Sequence, residues 1–149
     1  TNAKIGDAQV DTLKIGGSAV TTTSYQEGGA SSVTAGGLKN LVDVWVDMGQ
    51  SITPQSGVVI QGNFRFTPAG NASMYARIYR IRDGQPIGFA EMSGSGGYTN
   101  GVTVFGFDAH PVPGGNGYRL AIQNPSSGPG SNVSAEIKGS SIVATGGKR

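Results

Sequence analysis

Residues 41–49 read LVDVWVDMG, and their two parities differ in chemistry. Val42, Val44, Val46 and Met48 fall on one side; Asp43, Trp45 and Asp47 fall on the other. A period of two sends successive side chains to opposite faces of an extended chain, so the stretch predicts a half-buried β-strand. The signal returns downstream. In GVVIQGNFRF (57–66) Val58, Ile60, Phe64 and Phe66 share a parity, and Gly62 between them is the expected place of a bulge. In SMYARIYRIRDGQPIGFAEMS (73–93) Met74, Ala76 and Ile78 alternate with Tyr75, Arg77 and Tyr79, ahead of Asp83-Gly84, the strongest hairpin signal in the chain.

GVTVFGF (101–107), GYRLAIQN (117–124), VSAEIKG (133–139) and SSIVATG (140–146) continue the series, separated by turn-rich clusters at 94–101, 110–117 and 124–131. From residue 41 onward this makes about eight short strands, the pattern of an antiparallel two-sheet sandwich or jelly roll, with a closed barrel as the other solution. Trp45, the Phe residues and several Val and Ile are available for its core. Composition agrees. Of 149 residues 26 are Gly and only 13% are charged, and no stretch sustains the 3.6-residue apolar period of a helix. The fold class read from the sequence is all-β.

A formal charge of +2 does not make a phosphate-binding surface, so nucleic acid is not an expected partner. Arg65, Arg77, Arg80, Arg82 and Arg119 either form a patch or, as is usual for surface charges, are solvated or paired with Asp43 and Asp47. Without cysteine there is no disulfide and no thiolate metal site. No run of eighteen apolar residues is long enough to span a membrane. The opening TNAKIGD has neither an initiator Met nor a signal-peptide pattern and reads as a piece of a longer protein. Asn71-Ala72-Ser73 and Asn132-Val133-Ser134 fit the glycosylation sequon, a short pattern with no secretion signal behind it.

Catalysis finds little support. His110 is the single histidine, and although Asp108 is close in sequence, the two lie in a loop with no nucleophile elbow nearby. Asp43 and Asp47 share a strand face about 13 Å apart, beyond the separation of glycosidase carboxylate pairs. GSGGYTNG (94–101) leads into a strand rather than a helix, so it lacks the helix N-terminus that holds phosphate. No catalytic residue, cofactor or metal is assigned. The aromatic and arginine residues of YARIYRIR (75–82), with Trp45, Tyr98 and Tyr118, make stacking surfaces for sugars or bases, or pack against a sheet or a neighbouring subunit.

Residues 1–40 differ from the rest. They hold one aromatic, Tyr25, and a near-repeat in which Lys4-Ile5-Gly6 returns as Lys14-Ile15-Gly16 and Val10 as Val20. So thin a segment does not bury enough apolar area to offset its own ordering entropy, unless it shares a core with other copies. The stretch NAKIGDAQVDTLKIGGSAVT (2–21) resembles the segment preceding the C-terminal domain of host-specificity protein J-like tail proteins of siphophages and prophages. Ala3, Lys4, Ile5, Gly6, Ala8, Val10, Thr12, Leu13, Ile15, Gly17, Ala19 and Val20 carry the match, and the closing GSSIVATGGKR is similar to the last strand of such proteins. Residues 41–138 carry no matching motif.

The resemblance implies a homotrimeric central fibre or tail tip in the virion, contacting other tail proteins and projecting toward a bacterial cell-surface receptor, an outer-membrane protein or a glycan. On that reading residues 1–40 are an intertwined, trimerising connector. Ile5, Val10, Leu13, Ile15 and Val20 would meet at the threefold axis, each contributing about 1.5–3 kcal/mol on burial. Residues 41–149 are the host-facing sandwich. Its receptor contacts are expected in the loops 94–101 and 108–117, taken to lie at one end, through Tyr98, Asn100, His110 and Asn116. The competing reading is a monomeric carbohydrate-binding module of a secreted glycan-active protein, with Trp45 or the tyrosines as sugar platforms. A depolymerase tip is a third, disfavoured by the absence of an acid pair.

Overall fold

Val44, Val46 and Met48 are buried while Trp45 and Asp47 face solvent, as the period of two predicts. The computed structural model describes residues 20–34, 37–124 and 133–148. The strands are β1 (Val20–Gly28), β2 (Ser31–Val33), β3 (Leu38–Asp47), β4 (Gly57–Pro68), β5 (Ala72–Arg80), β6 (Gln85–Gly94), β7 (Asn100–Asp108), β8 (Gly115–Gln123) and β9 (Ala135–Lys148). No helix occurs among the described residues.

Every pairing is antiparallel, along the path β1-β9-β4-β7-β6-β5-β8-β3, with the short β2 also on β9. The path bends between β7 and β6, which meet through one residue pair, Gly88↔Gly106. Two four-stranded layers result, β1-β9-β4-β7 and β6-β5-β8-β3, and β3 closes back against β1 and β9. This is the strand order of an eight-stranded jelly roll. Its core lies between the layers: Val58, Ile60, Phe64, Phe66, Val104 and Ile142 from one, Val44, Val46, Met74, Ile78, Tyr118, Leu120 and Ile122 from the other.

Four expectations need correction. The sandwich begins before residue 41: β1 pairs residue for residue with β9, from Val20↔Lys148 to Gly28↔Ser140, and residue 40 falls inside β3. Residues 20–34 and 37–40 therefore belong to the sandwich. Of the connector, residues 1–19 lie outside the described residues, and with them Ile5, Val10, Leu13 and Ile15; Val20 opens β1. VSAEIKG and SSIVATG are one strand, bent where Lys138 and Gly139 form a bulge opposite Arg65. Gly62 is not a bulge, since its neighbours pair in unbroken register on both sides; a Cβ there would meet Leu120 Cδ1 at 2.8 Å, so the glycine admits Leu120 from the facing layer. And the aromatics divide. Phe64 and Phe66 are core, whereas Trp45, Phe89, Phe105 and Phe107 face outward. The hairpin at Asp83-Gly84 is as expected, with Arg80↔Gln85 closing it and Gly84 in the left-handed region at φ 70°.

The bend at Gly88 has no room for a side chain. A Cβ on Gly88 would meet the Phe105 carbonyl oxygen and, at 3.0 Å, Gly106 Cα, both backbone atoms that cannot swing away. Gly88→Ala is expected to destabilise the protein by about 1–3 kcal/mol, the magnitude of overpacking. Gly29→Ala, in open space, should stay within about 0.5 kcal/mol of the parent. Urea unfolding of the two variants checks the contrast.

Candidate binding faces

Each layer turns one face to the core and one outward. On the outer face of β6-β5-β8-β3, cross-strand register lines up Phe89, Arg77, Ala121 and Asn40, then Tyr79, Arg119 and Asp43, then Gly117 and Trp45. Trp45 is 57% exposed and lies flat over Gly117, where a Cβ would meet the indole at 2.7 Å. The glycine thus seats the ring and leaves its far side to solvent. Arg119 is bound bidentately by Asp43, Nε to Oδ1 at 2.8 Å and Nη2 to Oδ2 at 2.9 Å, which holds its charge on and keeps the guanidinium beside the sheet. Tyr75 and Phe89 sit with ring centroids 5.5 Å apart. The Arg77 guanidinium lies over both, 5.6 Å from the Tyr75 centroid and 5.2 Å from that of Phe89, and donates from Nη1 to Gln123 Oε1 at 2.6 Å.

The outer face of β1-β9-β4-β7 is different in kind. Phe105 (62% exposed) and Phe107 (55%) stand on it with Val59 and Tyr25. Asn63 Oδ1 accepts from Thr103 and, more weakly, from Gln61, while the Tyr25 hydroxyl donates to Glu27. The β9 bulge opens a cleft of about 470 Å³ here, lined by Tyr25, Glu27, Asn63, Arg65 and Thr103 among others.

The loops emerge at two opposite ends. At one, the β6–β7 turn is tied to the β4 terminus by Gly97 N donating to Pro68 O, and Ala69 N donates to Ser134 O. At the other, Met48 and Gly114 exchange backbone bonds with Gly114 and Gly49, and Val20 and Lys148 are paired. The expectation that 94–101 and 108–117 share an end is therefore wrong: β7 runs between them, about 30 Å at its strand rise. Tyr98 (72% exposed) and Asn100 border a shallow cleft of about 740 Å³ with Asn71, Ser73 and Ser93. His110 is exposed at the opposite end. Asn116 is buried and spent on the loop, accepting from Val112 N and donating to Val112 O and Gly114 O, so it is not a contact residue.

Asp108 is wholly buried and makes no dyad with the His110 ring. Its Oδ1 accepts from His110 backbone N at 3.0 Å and Arg80 Nη1 at 2.9 Å, and its Oδ2 from the Tyr118 hydroxyl at 2.7 Å. Burial by itself would raise the carboxyl; the Tyr118, His110 and Arg80 bonds outweigh it and hold Asp108 below its ordinary value. Burial and then Asp108 push the Tyr118 phenol up. Arg80 also pairs with Asp83, whose carboxyl that guanidinium brings down to about 2. Sequence reading missed this cluster because its members come from three strands and a turn. The described residues contain no group of His, Cys, Asp or Glu that would hold a metal ion.

No family model matches the chain, and no curated protein matches it. Among solved structures, an infectious bursal disease virus particle (Gt strain) is similar over 88% of this chain at 16% identity and TM-score 0.47; the chain spans 37% of that protein's length. The CBM36-1 domain of a multidomain xylanase from the hindgut metagenome of Trinervitermes trinervoides is 9% identical over 83% of this chain and 95% of its own, TM-score 0.41. The N-terminal cellulose-binding domain of Cellulomonas fimi β-1,4-glucanase C is 16% identical over 78% and 87%, TM-score 0.38.

A depressed carboxyl stabilises the fold above its unfolded value, about 3.9, and loses that contribution as pH falls through the lower folded value. Asp108→Asn should remove about 1–3 kcal/mol at neutral pH, because it takes the buried charge from Tyr118 and leaves Arg80 to Asp83 alone. It should also flatten the acid limb of a stability-against-pH curve measured by chemical denaturation.

Proposed function

We propose that this chain is a non-enzymatic attachment domain of a phage tail tip or central fibre, homotrimeric in the virion, which grips a glycan on the bacterial surface through the aromatic face of β6-β5-β8-β3. The observation that carries the reading is Trp45, seated on Gly117 with one ring face open, in line with Tyr79 and the Tyr75–Phe89 pair. A core-building sequence does not ordinarily leave its single Trp and three of its five Phe to solvent. Rigid aromatic platforms bind sugar rings by stacking, each weakly, and three copies would turn weak contacts into durable adhesion. The assignment to a phage tail rests on the resemblance of residues 2–21, and other tail proteins would hold the connector. The same platform supports a second reading, a monomeric carbohydrate-binding module of a secreted glycan-active protein.

Light scattering separates the two: three times the monomer mass is expected, and a monomer at micromolar concentration would favour the module. Ile5→Asp with Ile15→Asp should split the trimer and leave the sandwich folded by circular dichroism. Trp45→Ala should lower adsorption of labelled protein to host cells about tenfold or more without a change in unfolding midpoint. Release of new reducing ends from a surface polysaccharide by the parent protein would refute the non-enzymatic reading.

A further inference from the structure

The arginines of the β6-β5-β8-β3 layer and its turn are not equivalent. Arg80 is paired with Asp83 and Asp108, Arg82 lies 3.6 Å from Asp108, and Arg119 is closed by Asp43. Arg77 has no carboxylate within ion-pair distance among the described residues. Yet it is held in place on the open face. It packs on both rings of the Tyr75–Phe89 pair and Gln123 takes one N–H, so its orientation is set before any ligand arrives. A guanidinium stacked and oriented in this way, with N–H groups left over, is built to receive a planar anion bidentately. Its rotamer entropy is already spent, which raises the affinity obtainable from one contact.

The neighbourhood selects the anion. Tyr79 follows two residues along the same strand face, about 7 Å on, within reach of one sugar ring whose charged group sits on Arg77. Asp43 on this face is consumed by Arg119, and Glu91, cross-strand from Tyr75, makes no ion pair with Arg77, so the guanidinium keeps its charge for a ligand. We infer that the ligand of this face is an acidic glycan: a sugar carrying a carboxylate, received by the unneutralised Arg77 while its ring lies along Tyr79 toward Trp45. The inference rests on the glycan-binding reading above and adds the charge of the sugar to it. Uronic acids and ulosonic acids such as sialic acid present the same carboxylate and are separate arms of the test.

Calorimetric titration of the full chain with oligogalacturonate, a sialyl-oligosaccharide and neutral cello- and galacto-oligosaccharides measures the preference. At least one acidic ligand is expected to bind about tenfold or more tightly than the neutral ones, and to weaken as salt rises. Arg77→Gln should remove that preference, and Arg77→Lys should restore part of it. Competition on the parent protein by free glucuronate against glucose gives the same answer without a variant. Equal binding of neutral and acidic oligosaccharides, or an acidic preference that survives Arg77→Gln in a folded protein, overturns the acidic assignment and leaves glycan binding standing. Failure of every oligosaccharide to bind at millimolar concentration overturns both.

Discussion

The β9 strand is hydrogen-bonded along both edges, to β4 on one side and to β1 and then β2 on the other. One layer of the sandwich exists only when this C-terminal strand is in place. Without it β1 has no partner and β4 loses half of its ladder, leaving backbone groups that only water would satisfy. Because β1 and β9 stand at opposite ends of the described chain, the pairing is about as non-local as the topology permits, and such pairings are slow to form. The rest of the molecule follows from that closure. With β9 seated, Ile142 and Ala144 complete the core facing Val44 and Val46, and the outward parity of every other strand is committed.

That commitment explains why large aromatics end on the surface. In a two-layer sandwich the parity of a strand, not the size of its residues, decides what is buried. Val104 and the wholly buried Asp108 take the inner side of β7, which sends Phe105 and Phe107 outward; Val44 and Val46 do the same to Trp45. The inner polar residue is tolerated because Arg80, Tyr118 and a backbone N–H satisfy it. A buried ionic knot under one end and two open aromatic faces on the flanks are thus consequences of one arrangement.

Much of this was legible. The alternation at 41–49, the two apolar parities of β4 and β5 and the Asp83-Gly84 turn were sufficient to name an all-β antiparallel sandwich. The polar run VTTTSYQEG was not legible as a strand. β1 is held by main-chain bonds to β9 and brings little apolar surface, and a reading based on hydrophobic pattern has no access to that. The two loop clusters looked equivalent in composition, yet an odd number of strands lies between them, which fixes them at opposite ends. Asn116 looked like a surface asparagine; its amide instead closes a turn three ways. Arg77 was visible as part of YARIYRIR, but what sets it apart is that, among the described residues, it lacks the carboxylate partner that Arg80 and Arg119 have, and that emerges only from the packing.

The pairing of Val20 with Lys148 also has a mechanical meaning. Tension entering from residues upstream of Val20 would pull β1 along its own axis, against the length of β9. Antiparallel ladder bonds lie across the strands. A pull in that direction shears the whole ladder at once rather than opening it one bond at a time, as a pull across the sheet would. Entering the sheet this way spreads an axial load over all nine residue pairs of β1 and β9.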